Sequence, residues 1–288
     1  MNFKNNSTNT QEMTGTLTSL RGNAVQNTCT SVAEIKKLAD KFESLSLKEM
    51  DGVKLLNRVD TKFVMPAGDF IRIFPTLQTD YRILSVHGHR LNHYRTIYFD
   101  SQDFSLYRMH VNGQAERYKV RSREYVDTQL SFLEVKHHTR KERTIKDRMK
   151  TSQPVLKMAA SDESWLQGFF PYDPGTLEPK LWNTFTRITL VGRHTPERVT
   201  LDLDLCFAAE SKTVHMDDLV VAEVKLDSNF SNSPFMDLMT TERLHPSGFS
   251  KYAMGVSMLY AQVKKNALKP KMRKLEKITG GFSYGYVY

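Results

Sequence analysis

Apolar and polar side chains alternate at period two in segment after segment of this chain, which predicts a β-rich fold. In 58–65, Val59, Thr61, Phe63 and Met65 oppose Arg58, Asp60, Lys62 and Val64, and Pro66 ends the run. Tyr94–Asp100 is rich in β-branched and aromatic residues. Arg117–Tyr125 puts Arg117, Lys119, Arg121 and Arg123 on one face and Tyr118, Val120 and Ser122 on the other, and in Leu130–His138 Phe132, Glu134, Lys136 and His138 share a face. Three further strands are expected at Thr184–Gly192, Arg198–Cys206 and Leu219–Leu226. In the middle one Arg198, Thr200, Asp202 and Asp204 oppose Val199, Leu201, Leu203 and Leu205, and in the last Glu223 and Lys225 oppose Val224 and Leu226.

Helical spacing marks the borders. Val32, Ile35, Leu38, Ala39 and Phe42 follow Ser31, a suitable N-cap, and a short amphipathic helix capped by Asp69 is expected over Asp69–Gln78. Ser101–Met109 reads as a loop or a short helix, Leu156–Phe170 as helix plus loop, and Pro171–Pro179 as a turn-rich connector. Arg140–Arg148 continues the basic character. Helices near Pro234–Leu244 and Ser250–Val263 are separated by the break His245-Pro246-Ser247-Gly248. The polar residues 1–30 are expected to form a flexible leader, 31–263 one domain, and 264–288 a basic, then aromatic, tail.

Charge sharpens this reading. The 288 residues, 40% hydrophobic, can bury a sizeable core, and 41 Lys plus Arg against 32 Asp plus Glu leave a formal charge of +9, which favours anionic partners. Cys29 and Cys206 make neither a disulfide framework nor a zinc site, and no apolar run approaches the ~20 residues of a membrane span. A cytoplasmic location is expected, with a membrane-associated partner and the oligomeric state left open. His137 and His138 point to opposite faces of their strand and make a poor chelate, so structural roles are expected for both.

A strand with four cations on one face needs either solvent or an anion. An ordinary antiparallel sheet with one wet face gives the same alternation, and pattern alone leaves both open. The predominance of Arg and Lys over Ser, Thr and Gln favours an anion. If the strands close with charged faces inward, the fold is α+β: an antiparallel β-barrel tunnel with a charged interior, flanked by helices. Such walls suit phosphate oxygens. Carboxylates among them suit a hard divalent cation or a salt-bridged lining.

Seven blocks in order resemble the VTC domain of the triphosphate tunnel metalloenzyme superfamily. They are Arg58-Val59-Asp60-Thr61-Lys62-Phe63, Tyr98-Phe99-Asp100, Lys119-Val120-Arg121-Ser122-Arg123-Glu124-Tyr125, Leu133-Glu134-Val135-Lys136, Arg198-Val199-Thr200-Leu201-Asp202, Glu223-Val224-Lys225-Leu226 and Phe249-Ser250-Lys251-Tyr252. The resemblance implies a polyphosphate polymerase that moves the terminal phosphoryl group of ATP onto a growing polyphosphate chain with Mn2+ or Mg2+. By it, Lys62, Arg121, Arg123, Lys136, Arg187, Arg198 and Lys251 act at the reacting phosphates, and Lys146 and Lys225 belong to the binding wall. Lys119 joins that wall by its place on the Arg121 face. Glu223 is implied as a metal ligand; Glu134 is either a second ligand or the ion-pair partner of a tunnel cation. Eukaryotic members carry a basic residue three positions before the Lys251 equivalent, where this chain has Gly248. The competing readings are a metal-dependent triphosphate or nucleoside triphosphate hydrolase and a non-catalytic polyphosphate- or nucleotide-binding module. Few aromatics accompany the inward cations, so nucleic acid is not the expected partner.

Overall fold

The computed structural model describes residues 30–51, 58–141 and 143–286. All of the expected leader except Thr30 lies outside the described residues.

Among the described residues one sheet follows the path β2 (Arg58–Pro66), β11 (Leu219–Asp227), β9 (Glu197–Ala209), β8 (Glu178–Gly192), β4 (Asn92–Asp100), β5 (Arg117–Tyr125), β6 (Leu130–His138) and β7 (Thr144–Thr151), antiparallel throughout. The far half of β9 pairs with β10 (Lys212–Met216), which pairs in turn with β12 (Ser283–Tyr286). β3 (Tyr81–Leu84) extends from β8 and takes β1 (Ser44–Leu45) in the sheet's one parallel pairing among the described residues. The α+β class and the antiparallel sheet expected from the alternation are both present.

The sheet curls without closing. No ladder joins β2 to β7 among the described residues. Lys119 on β5 nevertheless feels the charge of Lys62 on β2, and Lys136 on β6 feels Glu223 on β11, although neither pair of strands is adjacent. Only a curl that turns one charged face toward another allows this. Part of the seam is spanned by 247–250: the Ser247 N–H donates to the Lys62 carbonyl at 2.7 Å, and the Lys119 ammonium donates to Ser250 Oγ at 3.1 Å.

Helices cover the outer faces where the sequence alternation leaves apolar rows. α1 (Thr30–Ala39), α3 (Ala67–Ile73) and α6 (Pro234–Thr241) bury Ile35, Phe70 and Phe235 against Phe63, Leu201 and Ala222 of β2, β9 and β11. α5 (Ala160–Leu166) and its flanks cover Val120 and Leu133 on β5 and β6. A third core fills one end of the inner face: α4 (Ser105–Val111), α7 (Lys251–Leu259) and α8 (Lys269–Thr279) pack Tyr107, Tyr252, Val256 and Leu275 against Tyr98, Phe185, Phe207 and Val221. The tunnel is thus apolar at one end and charged along the rest. The short α2 (Leu47–Asp51) follows β1.

Some elements differ from expectation. α3 starts at Ala67 behind Pro66, so Asp69 sits in its first turn and is not its cap. β7 falls in a stretch read only as basic, since its residues are nearly all polar and its burial is slight. β8 begins at Glu178 and runs through Pro179, where a register shift against β4 relieves the ladder of the missing N–H. Asp204 leaves the Arg198 and Asp202 face: φ is +51° there, and the β8–β9 register jumps from Thr184↔Cys206 to Thr186↔Leu203. That bulge breaks the period-two alternation.

Candidate active site

Three carboxylates organise the inner face, and each is gripped by at least two cations. Glu134, fully buried on β6, accepts Arg121 Nε at 2.7 Å and Nη2 at 2.6 Å from β5, and Lys146 from β7. Asp202 on β9 accepts Arg187 Nε at 2.5 Å and Nη2 at 2.8 Å from β8, a two-pronged grip, together with the Lys251 ammonium. Glu223 on β11 accepts Lys62 at 2.7 Å on one oxygen and Lys225 at 2.8 Å on the other. Asp60 takes Arg58 at 2.9 Å and lies 3.7 Å from Lys225.

The register makes these triads. Arg121 lies opposite Glu134, Arg187 opposite Asp202, and Glu223 opposite Lys62, so sheet pairing sets acid beside base. Burial opposes ionisation of all three acids, but the surrounding cations outweigh it: Arg121, Arg123 and Lys146 hold Glu134 well below the carboxylate range, Lys225 and Lys62 do the same to Glu223, and Arg187 and Lys251 bring Asp202 to about 2. All three are anions at neutral pH.

Two deep cations lack an acid of their own. Arg123, 6% exposed, donates to Thr96 Oγ1 at 3.2 Å and lies over the rings of Tyr94 and Phe185 at 5.5 and 5.7 Å. Lys136 forms no ion pair among the described residues, and Arg121, burial and Arg123 press it toward neutrality while Glu223 pulls the other way. Uncompensated cations in a confined space create a strong positive potential. Lys225 and Arg198 lie side by side on β11 and β9, with the Arg198 Nη2 reaching the Met50 carbonyl at 3.5 Å.

Lys251 reaches the face from a helix. Ser250 Oγ caps α7 by accepting the Ala253 N–H at 3.3 Å, and the buried face of Tyr252, Ala253 and Val256 fixes the helix in the apolar end of the tunnel. Asp100 ties this arrangement together: its carboxylate accepts the N–H groups of Leu106 and Tyr107 at 2.8 Å each, and the Tyr252 hydroxyl. The residues read from the sequence, Lys62, Lys119, Arg121, Arg123, Glu134, Lys136, Lys146, Arg187, Arg198, Glu223, Lys225 and Lys251, all border this one interior.

Sequence reasoning missed an aromatic floor. Tyr94 and Phe185 stack at 5.0 Å and 8°, and Arg187 at 5.1 Å and Lys251 at 4.5 Å lie on their faces. The alternation Tyr94, Thr96, Tyr98 on β4 carried that signal. His137 stacks on Tyr118 at 4.3 Å, in keeping with a structural role, and Cys206 is buried with its thiol pushed up to about 12 by burial.

Among the described residues no cluster of three His, Cys, Asp or Glu side chains could hold a metal by itself. Glu134, Asp202 and Glu223 stand apart, each already occupied by cations. Such a set fits a divalent ion that takes most of its ligands from phosphate oxygens and water and one or two from carboxylate. A cavity of about 330 Å³ lined by Asp60, Thr61, Lys62, Pro246, Ser247 and Gly248 borders the seam. A larger one, of about 530 Å³ between α8 and β12, shares no residue with the charged face.

A sequence model of the VTC domain matches residues 57–260, which span the whole charged interior. The chain belongs to the VTC domain family. Similar solved structures include a putative adenylate cyclase from Bacillus halodurans (12% identity, TM-score 0.44, 71% of this chain and 98% of that one). A putative adenylyl cyclase from Hippeastrum, described as having a dominant triphosphatase activity, has 13% identity and a TM-score of 0.44 over 70% of this chain and 96% of its own. A protein of Pyrococcus horikoshii has 10% identity and a TM-score of 0.41 over 69% and 99%. No curated protein matches the sequence. A VTC domain with this interior is a tunnel protein suited to binding triphosphate. No helix among its described residues is long and apolar enough to cross a membrane.

Proposed function

We propose that this VTC domain is a polyphosphate polymerase. The observation that carries the reading is the pair of deep cations Arg123 and Lys136, which have no carboxylate partner among the described residues, in an interior where Lys62, Arg121, Lys146, Arg187, Lys225 and Lys251 are shared among three acids. A chain of phosphates supplies the missing negative charge along its whole length, which a single small anion does not.

In the reaction, a terminal oxygen of the polyphosphate attacks the γ-phosphorus of ATP. The bond from that phosphorus to the β–γ bridging oxygen breaks, its electron pair stays with ADP, and one new phosphoanhydride bond lengthens the chain. Arg121, Arg123, Lys136 and Lys251 hold donor and acceptor in line and offset the charge that builds up on the transferred group. Lys62, Lys119, Lys146, Arg187, Arg198 and Lys225 form the wall that seats the rest of the chain. Glu134, Asp202 and Glu223 fix the cations in place before substrate arrives, so little reorganisation is needed when it binds. A divalent cation, Mn2+ or Mg2+, would be held by Glu223 or by Glu134 together with phosphate oxygens, and would supply charge neutralisation at the phosphoryl oxygens.

The test is incubation of the purified protein with ATP and Mn2+, with products resolved on a polyphosphate gel. A growing ladder with matching ADP release is expected, and Arg121→Ala, Lys251→Ala and Glu223→Gln should each lower turnover by about 10²–10³-fold in protein that stays folded. Release of free phosphate with no ladder would instead make the domain a hydrolase, and tight ATP binding without turnover a binding module.

A further inference from the structure

α8 and β12 lie beyond the matched family region, which ends at residue 260. Between residues 264 and 277 six lysines and Arg273 stand against one acid, Glu276. Pro270 sits in the first turn of α8, and buried Leu275, with Met272 and Ile278, fixes the apolar side of the helix on the core. The charged side is left outside, where helical spacing puts Arg273, Glu276 and Lys277 in one row. Lys271, on another side, holds its ammonium over Gly248, where a Cβ would come within 3.2 Å of Nζ. Gly280 ends the helix at φ +69°, a conformation that favours glycine, and the turn sets β12 beside α8. The two elements border the cavity of about 530 Å³ together.

Phe282, Tyr284 and Tyr286 fall at alternate positions and share one face. Tyr284 lies opposite Val214 and Tyr286 opposite Lys212. Val214 is fully buried in the same core as Leu275, so this face is turned toward α8. The two tyrosines are nevertheless 60% and 68% exposed. Tyr284 lines the cavity with Arg273, Glu276 and Lys277, and burial and Glu276 raise its hydroxyl above the ordinary phenol value, so the ring stays neutral. Among the described residues no carboxylate pairs with Lys212, Arg273 or Lys277. Bare cations and exposed rings therefore meet on one outer surface, which shares no residue with the charged interior.

We propose that this surface binds single-stranded nucleic acid, with unpaired bases stacked on Tyr284 and Tyr286 and the sugar-phosphate backbone held by Lys212, Arg273 and Lys277. Alternate residues of a strand stand roughly 7 Å apart, so each ring can take its own base. The cavity has the size of a small-ligand site and gives one of those bases room beside α8. Exposed rings beside a row of cations are the combination that an unpaired strand requires. Other occupants fit less well. An interfacial membrane helix needs a free apolar face, and that of α8 is buried in the core. A second copy docked across a two-fold axis would set the same cations against one another. A chain of bare phosphates would leave both rings without a partner. The inference does not depend on the phosphate-tunnel reading.

The test is fluorescence anisotropy of the full-length protein with a labelled oligouridylate about ten nucleotides long, single-stranded and annealed to its oligoadenylate complement. The single strand should bind more tightly than the duplex, whose bases are already stacked. Tyr284→Ala should weaken single-strand binding by at least about fivefold, the lower end of what one stacked base contributes, and Tyr284→Phe, which keeps the ring, should stay within about twofold. Arg273→Gln should flatten the dependence of log Kd on log salt by about 0.7, the share of one phosphate contact. Tyr172→Ala removes an exposed tyrosine elsewhere on the surface and should change nothing. Tripolyphosphate at matched ionic strength should not displace the oligonucleotide. Equal binding of strand and duplex, no loss in Tyr284→Ala, or an equal loss in Tyr284→Phe overturns the proposal. Displacement by tripolyphosphate would put the oligonucleotide in the interior and overturn it as well. No binding at all overturns it too, and sedimentation of the protein with phosphatidylserine vesicles would then assign the surface to a membrane.

Discussion

Asp202 shows how one carboxylate can organise a cationic site without being its ligand. It is 3% exposed and holds both Arg187 and Lys251, one from a strand and one from a helix. Asp202→Asn keeps the shape and removes the charge, which leaves two buried cations side by side; breaking such a pair costs about 3–5 kcal/mol. The variant should therefore melt at a lower temperature alone, and polyphosphate should stabilise it by a larger increment than wild type, both readable in one set of thermal melts. The lysines add a pH signature. Burial, with nearby arginines, brings Lys146 and Lys251 to about 8 despite Glu134 and Asp202, and Lys119 stands at about 7. An unfolded lysine titrates near ~10.4, so above about pH 7 the unfolded chain binds more protons than the folded one, and stability rises with pH in that window. Phosphate selects the ammonium forms. From about pH 7 to 9 the melting temperature of the bare protein should rise on this account, while the increment given by polyphosphate shrinks; a constant increment would argue that these lysines do not touch the anion.

At the scale of elements, α7 decides where Lys251 lies. Gly255 lets this helix approach the sheet: a Cβ there would meet Leu181 Cδ2 at 2.6 Å and Phe207 Cδ1 at 2.8 Å, both in the packed core. Gly255→Ala should destabilise by about 1–3 kcal/mol through overpacking and lower turnover by displacing Lys251, whereas turnover at the wild-type level with reduced stability would show that the helix position is not critical. The central strands were legible because their apolar faces meet helices. Phe63 and Met65, Val120 and Leu133, Val199 and Leu201 all point into outer cores, and alternation fixes the charged residues opposite them. Legibility failed where that logic lapses: β7 has no fully buried residue, and the bulge at Asp204 turns a carboxylate away that strict alternation would place beside Asp202. The placement of Lys271 was hidden too, because it depends on α8 folding back over Gly248, a contact with no periodic signature.

The whole molecule places its net positive charge, +9, partly inside itself. A curled sheet with ion-paired walls and no ladder between β2 and β7 among the described residues would, on the proposed reading, hold a linear anion, with α4, α7 and α8 filling its apolar end. The architecture explains why the acids are few and embedded: more of them would cancel the potential, and none would leave the arginines to repel one another. A crystal structure of the protein with tripolyphosphate would test most directly whether the charged interior is the phosphate site. Phosphate density is expected on the inner face, within hydrogen-bonding distance of Arg121, Arg123, Lys136 and Lys251, with Glu134 and Asp202 still holding their arginines. Phosphates bound only on the outer surface, with the interior closed by its own ion pairs, would contradict it.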